Sequence, residues 1–330
     1  MKLPHRRQFL HLAAGAAALP AVSRIATAQT YPARPITIVV PFPAGGALDV
    51  FGRILAERMR ASFAQNVIIE NVAGASGGLG VGRVARATPD GYTVVIGYWG
   101  THVANGVVYT LPYDVLRDFE PIALTVMVPN LIVSKDAAPA KNLRELIGWL
   151  KSNPDKASAG TSGIGSLEHV GGILFQNITG TRFNFVPYRG AAPAVQDLVA
   201  GQIDLMIANL NTSLPQIREG NIKAFAIATK ARSAAVPEIP TAEEAGLPGF
   251  YVTGWQGVWA PKGTPQGVIA KLNSVIVNAL GDPGIRVRLA DLGFDIFPRD
   301  QQTPEALAAY QKAEIEKWWP IIKAAGIKAE

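Results

Sequence analysis

Three glycine-bearing segments carry the chemistry legible in this 330-residue chain. They are Pro43-Ala44-Gly45-Gly46, then Gly74-Ala75-Ser76-Gly77-Gly78, then the stretch 160–166 with Gly160, Thr161, Ser162, Gly163, Gly165 and Ser166. Each follows a short apolar run and precedes a helical pattern. Glycine lets backbone N–H groups approach a ligand closely. At the start of a helix such groups favour an anion, and a carboxylate held by them needs no arginine. Tight turns and close helix contacts are the alternative use of the same glycines. None of the three has the Gly-Lys-Ser/Thr ending of a phosphate loop, or the full spacing and acidic partner of a dinucleotide fingerprint.

Other candidates cluster around these loops. Phe42 leads into the first, and Asp49 stands in the helical turn that follows it. Asp49 either offsets the helix dipole or orients the loop and a polar ligand group. Ser166 and His169 lie three apart on one helix face, and Asp204 follows. A hydrolase built on these three lacks the Gly-x-Ser-x-Gly elbow and any guarantee that Ser and His meet in catalytic geometry. Ser166 is expected to cap its helix or donate to a ligand. His169 is expected to be hydrogen-bonded, in a structural or a binding role. Arg189, in Tyr188-Arg189-Gly190, either meets a second ligand carboxylate or lies exposed. Tyr98, Trp99, Thr101 and His102 follow one strand-like run, and Asn209 and Asn211 follow another, where they could line a cleft. There is no cysteine, which excludes thiol catalysis and cysteine-type zinc sites. The histidines are His5, His11, His102 and His169, without metal-ligand spacing. No cofactor or metal is expected.

The elements that position these residues read as strand–loop–helix units. Residues 36–40, 67–69 and 92–96 are apolar and strand-like, with helical spacing over 48–63 between the first two. That is βαβαβ order, the mark of an α/β fold with parallel strands. A second set begins near residues 131–133 and continues with strands over 157–159, 183–186, 205–208 and 224–228. The last third differs: Thr264-Pro265 and Thr303-Pro304 start two helices, the second carrying Trp318 and Trp319. Two α/β sets and a helical tail suit two lobes, with the tail bracing the first.

Residues 1–28 read as a cleavable export signal. Lys2, Arg6 and Arg7 form a basic head, residues 12–22 a short Ala-rich apolar run, and Ala26-Thr27-Ala28 a cleavage triplet. The Arg6-Arg7-x-Phe9-Leu10 arrangement resembles a twin-arginine signal, though His5 stands where Ser or Thr is usual; a general secretory route is the alternative. The segment holds four basic residues and no acid, so most of the formal charge of +6 belongs to it. The remaining chain has no basic stripe, and nucleic acid is a poor partner.

Taken in order, the motifs resemble the Bug/TctC family, the extracytoplasmic solute-binding receptors of tripartite tricarboxylate transporters. They run through Tyr31-Pro32-x-Arg34-Pro35-Ile36, Val40-Pro41-Phe42-Pro43-Ala44-Gly45-Gly46-x-x-Asp49, Gly74-Ala75-Ser76-Gly77 and Pro89-Asp90-Gly91-Tyr92. They continue with Gly165-Ser166-x-x-His169, Pro187-Tyr188-Arg189-Gly190, Gly201-Gln202-x-Asp204 and Ala260-Pro261-x-Gly263-Thr264-Pro265. The resemblance implies a two-lobed, type II-like periplasmic-binding-protein fold with a hinge and a cleft. Lobe 1 would be residues 29–122 plus 229–330, and lobe 2 residues 123–228. It implies a non-enzymatic, monomeric receptor in the periplasm that takes a small organic acid to a membrane permease. The carboxylate would be held from the loops at 43–46 and 160–166, with 74–78 as a wall. Val72-Ala73, Gly106 and Arg189 depart from commoner family residues and leave the specificity end of the site open.

Overall fold

The computed structural model describes residues 31–328. The expected export signal lies outside them, apart from which the first element is β1 (Ile36–Val40). Then come α1 (Ala47–Phe63), β2 (Val67–Asn71), α2 (Gly78–Ala85) and β3 (Thr93–Tyr98). β1 pairs in parallel with both β2 and β3, and Ile36, Ile38, Val39 and Val40 are wholly buried. Both faces of β1 are covered, which is why its sequence shows no alternation. A single π-helical turn (Gly100–Ala104) and α3 (Asn105–Val108) follow β3.

β4 (Phe119–Lys135) is one strand of 17 residues where the sequence suggests only a short strand near 131–133. Pro121 and Pro129 obscure it, since proline cannot donate to a ladder. After β4 come α4 (Leu143–Ser152), β5 (Ser158–Thr161), α5 (Leu167–Thr179), β6 (Asn184–Pro187) and α6 (Ala191–Val199). They are followed by β7 (Leu205–Asn209), α7 (Leu210–Arg218), β8 (Ile222–Ile227) and β9 (Thr253–Pro261). The chain ends with α8 (Gln266–Leu280), α9 (Pro283–Asp291), β10 (Asp295–Ile296) and α10 (Pro304–Ala324).

The strand order is β2-β1-β3-β9-β4-β7-β5-β6, with β8 and β10 also paired to β4. β4 changes partners along its length. Residues up to Pro129 pair antiparallel with β9, and residues from Asn130 onward pair with β7. At the change the returning chain is tied in by backbone bonds. Ala228 N–H donates to Asn130 O (2.8 Å), Val252 N–H to Ala228 O (3.0 Å) and Asn130 N–H to Val252 O (3.3 Å). Two half-sheets, each with parallel βα units, therefore share one strand. This is the α/β periplasmic-binding-protein architecture of type II kind.

α10 returns to the first half-sheet. Trp318 meets the Trp99 ring edge-on at 5.6 Å, and Gln311 Nε2 donates to the carbonyls of His102 and Val115 (both 2.9 Å). Trp319 Nε1 donates to Val103 O at 3.0 Å. The Trp318 and Trp319 side chains are thus packing groups, fixed by partners for their indole N–H.

His102 is wholly buried, stacked on Trp259 at 3.8 Å, with Nδ1 and Thr101 Oγ1 2.9 Å apart. Burial disfavours its cation and depresses its pKa to about 3. The unfolded chain then binds a proton below about pH 6.5 that the native state refuses. The stability this confers is complete above that pH and is lost on acidification, by roughly 2 kcal/mol between pH 6.5 and 5. Burial of Glu314 and Asp295 raises their pKa values and acts in the opposite sense, so a difference measurement isolates the imidazole. The gap in melting temperature between wild type and His102→Gln should narrow from pH 7 to pH 5. A gap that stays constant would show that His102 does not resist protonation.

Candidate functional site

A cavity of about 760 Å³ lies between the two half-sheets. Its walls come from the segments that follow β1, β2, β3, β5, β6 and β7. In an open parallel sheet every strand delivers the chain to the start of its helix at the same edge. Four helix starts consequently converge here: Gly46 to Leu48 at α1, Ser166 to Glu168 at α5, Arg189 to Ala191 at α6, and Asn209 with Asn211 at α7. The first backbone bond at α1 is Val50 N–H to Gly46 O (2.9 Å), so the N–H groups before it have no intrahelical acceptor. α1, α6 and α7 also lack a side-chain cap at this end. Unsatisfied donors and the positive ends of several helix dipoles form a site for an anion.

The first loop is held rigid from behind. Asp49 is buried, and its Oδ2 accepts from Gly45 N–H and Arg53 Nε (both 2.9 Å). Its Oδ1 accepts from Asn71 Nδ2 (3.0 Å), which also donates to Phe42 O (3.0 Å). Burial alone would raise the Asp49 pKa, but the bonds from Arg53, Gly45 and Asn71 outweigh it and hold the group below its ordinary value. Hydrogen bonds to a charged group contribute about 1.5–3 kcal/mol each. Asp49 thus ties the loop to β2 rather than facing the cavity.

Of the residues singled out in the sequence, Phe42, Pro43, Ala44, Gly46 and Ser76 line the cavity from the first half-sheet. Ser162, Gly165, Ser166, Arg189 and Asn209 line it from the second. Gly45 adjoins it with its N–H committed to Asp49. Gly74 and Ala75 are exposed and off the cavity wall, whereas Gly77 is buried against Phe42 and Thr101, and Thr101 Oγ1 donates to Tyr98 O (3.1 Å) and accepts from Tyr98 N–H (3.1 Å).

Three residues are placed elsewhere. Asp204 precedes β7, whereas the cavity lies beyond the other end of that strand, about 17 Å away at 3.3 Å per residue. There it accepts from Ser158 N–H (2.8 Å) and pairs with Lys135 (2.7 Å). Thr161 and His169 face a second, smaller cavity of about 300 Å³, shared with Phe185 and residues 325–328. His169 Nδ1 accepts from Gly165 N–H (3.1 Å), and its ring meets Phe185 edge-on at 4.6 Å. It braces the glycine loop, and burial lowers its pKa. Ser166 Oγ accepts from the backbone N–H of His169 (3.2 Å), an ordinary helix cap. Ser166, His169 and Asp204 therefore form no relay.

Sequence reasoning passed over Glu168, Asn105, Tyr109 and Gln256, all on the cavity wall. Glu168 is buried and accepts from Ser162 Oγ (2.6 Å) and from Asn209 Nδ2. Its place in the first turn of the helix after Gly165-Ser166 was the available signal. Tyr109 OH lies 2.6 Å from Ser76 Oγ, and Asn105 Nδ2 donates to Ser76 O (2.9 Å). Trp99, Asn211 and Gln256 belong to the same wall, and their Nε1, Oδ1 and Oε1 atoms are buried without a protein partner. Among the described residues no cluster of three or more His, Cys, Asp or Glu could hold a metal ion.

Two half-sheets about a shared strand, with an anion-favouring cavity between them, define a solute-binding protein of the periplasmic type. Residues 51–327 match the model of the tripartite tricarboxylate transporter family receptor, and the chain belongs to that family. It is 36% identical to BugT of Bordetella pertussis, covering 92% of each chain. Among solved structures it is 38% identical to MatC of Rhodopseudomonas palustris with bound malate, with a TM-score of 0.76, covering 88% of this chain and all of that one. A second R. palustris protein, solved with adipate, is 35% identical with a TM-score of 0.79, covering 90% of this chain and 99% of that one. Family members include periplasmic binding proteins, which sets the compartment.

Gly77 shows how a residue of the second glycine loop serves the site without lining it. Its φ is +89°, and a Cβ there would lie 2.6 Å from Thr101 Cγ2 and 3.0 Å from Phe42 Cζ. Gly77→Ala should cost about 2–4 kcal/mol in urea unfolding through backbone strain and overpacking. By displacing Phe42 it should also weaken ligand binding more than about tenfold, a cost of at least 1.4 kcal/mol. Gly267→Ala, in α8 with nothing within 4 Å of the added Cβ, is the control and should leave binding unchanged and stability equal or raised by up to about 1 kcal/mol. An unaltered midpoint for Gly77→Ala would show that Phe42 is not held from this side.

Proposed function

We propose that this protein captures a small organic carboxylate in the periplasm and delivers it unchanged to a tripartite tricarboxylate-type permease. The observation that carries this reading is the convergence of four helix N-termini on one cavity. Such donors neutralise a carboxylate without a dedicated counter-ion. Relatives solved with malate and with adipate support the same ligand class. The half-sheets would act as lobes that close on the ligand, hinged where Asn130, Ala228 and Val252 are tied together. Ligand contacts made only in the closed form would shift the population toward it. The pairing of β4 with β9 as far as Pro129 supports a first crossing between residues 124 and 131. The protein would work as a monomer and carry out no reaction, because Ser166 Oγ is engaged by its own helix and lies against no base.

Malate or adipate at a hundredfold excess over its dissociation constant should raise the melting temperature by about 4 °C. Native mass spectrometry should release the acid with its mass unaltered. Stabilisation by no carboxylate, together with consumption of some substrate, would refute the receptor reading.

We also propose export by the twin-arginine route, on the strength of Arg6-Arg7-x-Phe9-Leu10. Changing Arg6 and Arg7 together to lysine should leave the precursor unprocessed in the cytoplasm. Normal processing of that variant would assign export to the general secretory route.

A further inference from the structure

We infer that Glu168 selects acids whose carbon skeleton carries a hydrogen-bond donor, an ammonium or a hydroxyl group, beside the carboxylate. The inference rests on the carboxylate-receptor reading and concerns the other end of the ligand. Glu168 is 3% exposed, lies on the cavity wall, and forms no ion pair among the described residues. It takes up the donors around it. The Ser162 hydroxyl proton and one Asn209 amide N–H both point at its carboxylate. With its proton given to Glu168, Ser162 keeps lone pairs as acceptors, while Asn209 keeps its amide oxygen and one amide N–H. The second half-sheet thus sets the Glu168 carboxylate and the Ser162 hydroxyl oxygen, as acceptors, beside the backbone donors at the starts of α5, α6 and α7.

The first half-sheet offers the backbone donors at the start of α1, and no acidic side chain from it lines the cavity. A ligand carboxylate belongs with them, and its neighbouring polar group must face the acceptors around Glu168. A bare diacid offers those acceptors no hydrogen-bond donor, and leaving buried polar groups unpaired is costly. The charged side chains on the wall are Glu168 and Arg189, and Arg189 is exposed, so Glu168 has no buried cation to offset it. An ammonium satisfies both hydrogen bonding and charge; a hydroxyl satisfies hydrogen bonding alone.

Calorimetric titration of the mature protein with two matched series tests this: succinate, malate and aspartate, then adipate and 2-aminoadipate. In at least one series a donor-bearing acid should bind ten times or more tighter than the plain diacid. Glu168→Gln should bring the members of that series within about threefold of one another. Aspartate above malate would assign the preference to charge, and equality of the two to hydrogen bonding. If in both series the plain diacid binds wild type as tightly as its donor-bearing partners, the inference is overturned and the receptor reading stands. The same follows from a Glu168→Gln protein that weakens every acid by one common factor, since Glu168 would then only brace Ser162 and Asn209. The wild-type series decides the matter even if the variant does not fold. Binding of no acid by wild type would refute the receptor reading and this inference with it.

Discussion

The backbone ladder of β4 is the constraint on which the rest of the structure depends. One strand of 17 residues gives its first part to β9 and its second to β7 and β8. The exchange falls between Pro129 and Asn130, where proline has no N–H to give and Asn130 is tied to both returning passages of the chain. Because both half-sheets grow from this strand, the ends of their parallel strands meet at a common space. Each parallel strand must be followed by a crossover helix, and that helix must start at the strand's carboxyl end. The cavity and its donor-rich walls follow from these two requirements.

That geometry explains why a site for an anion can be poor in cations. The cavity wall holds one arginine, and it is exposed. Backbone N–H groups at helix starts do the work instead, and they are positioned by the fold rather than by long side chains. Keeping such a loop in place requires support from the far side. Asp49 joins the first loop to Arg53 and Asn71, and His169 accepts the N–H of Gly165 in the lobe opposite. Gly77 supports the same wall by its lack of a side chain, leaving room for Phe42 and Thr101. Several residues that matter to the site therefore do not touch its interior.

The helical tail has a comparable supporting role. Trp318 and Gln311 of α10 are buried against the π-helical turn that follows β3, and Gln311 satisfies two carbonyls there. The same turn leads into α3, where Asn105 fixes Ser76 and so joins the second glycine loop to the segment after β3. Packing in the tail and polar contacts at the cavity are thus parts of one continuous arrangement.

Much of this was legible from residue types and order. The apolar runs of β1, β2 and β3, the glycines that follow them, and the proline-led starts of α8 and α10 are local signals, governed by neighbours in the chain. They determined an α/β fold, the loops that would carry donors, and the family. The unity of β4 was not legible, because its identity depends on partners more than a hundred residues away and two prolines interrupt its pattern. The direction of a strand's ends was equally hidden: Asp204 and Asn209 are five residues apart, yet only Asn209 reaches the cavity. Nothing in the sequence singled out Glu168. Only the tertiary structure brought Asn209, from the end of β7, to its carboxylate beside Ser162 of the preceding loop, because hydrogen bonds between distant segments depend on how strands pair and not on where residues stand in the sequence.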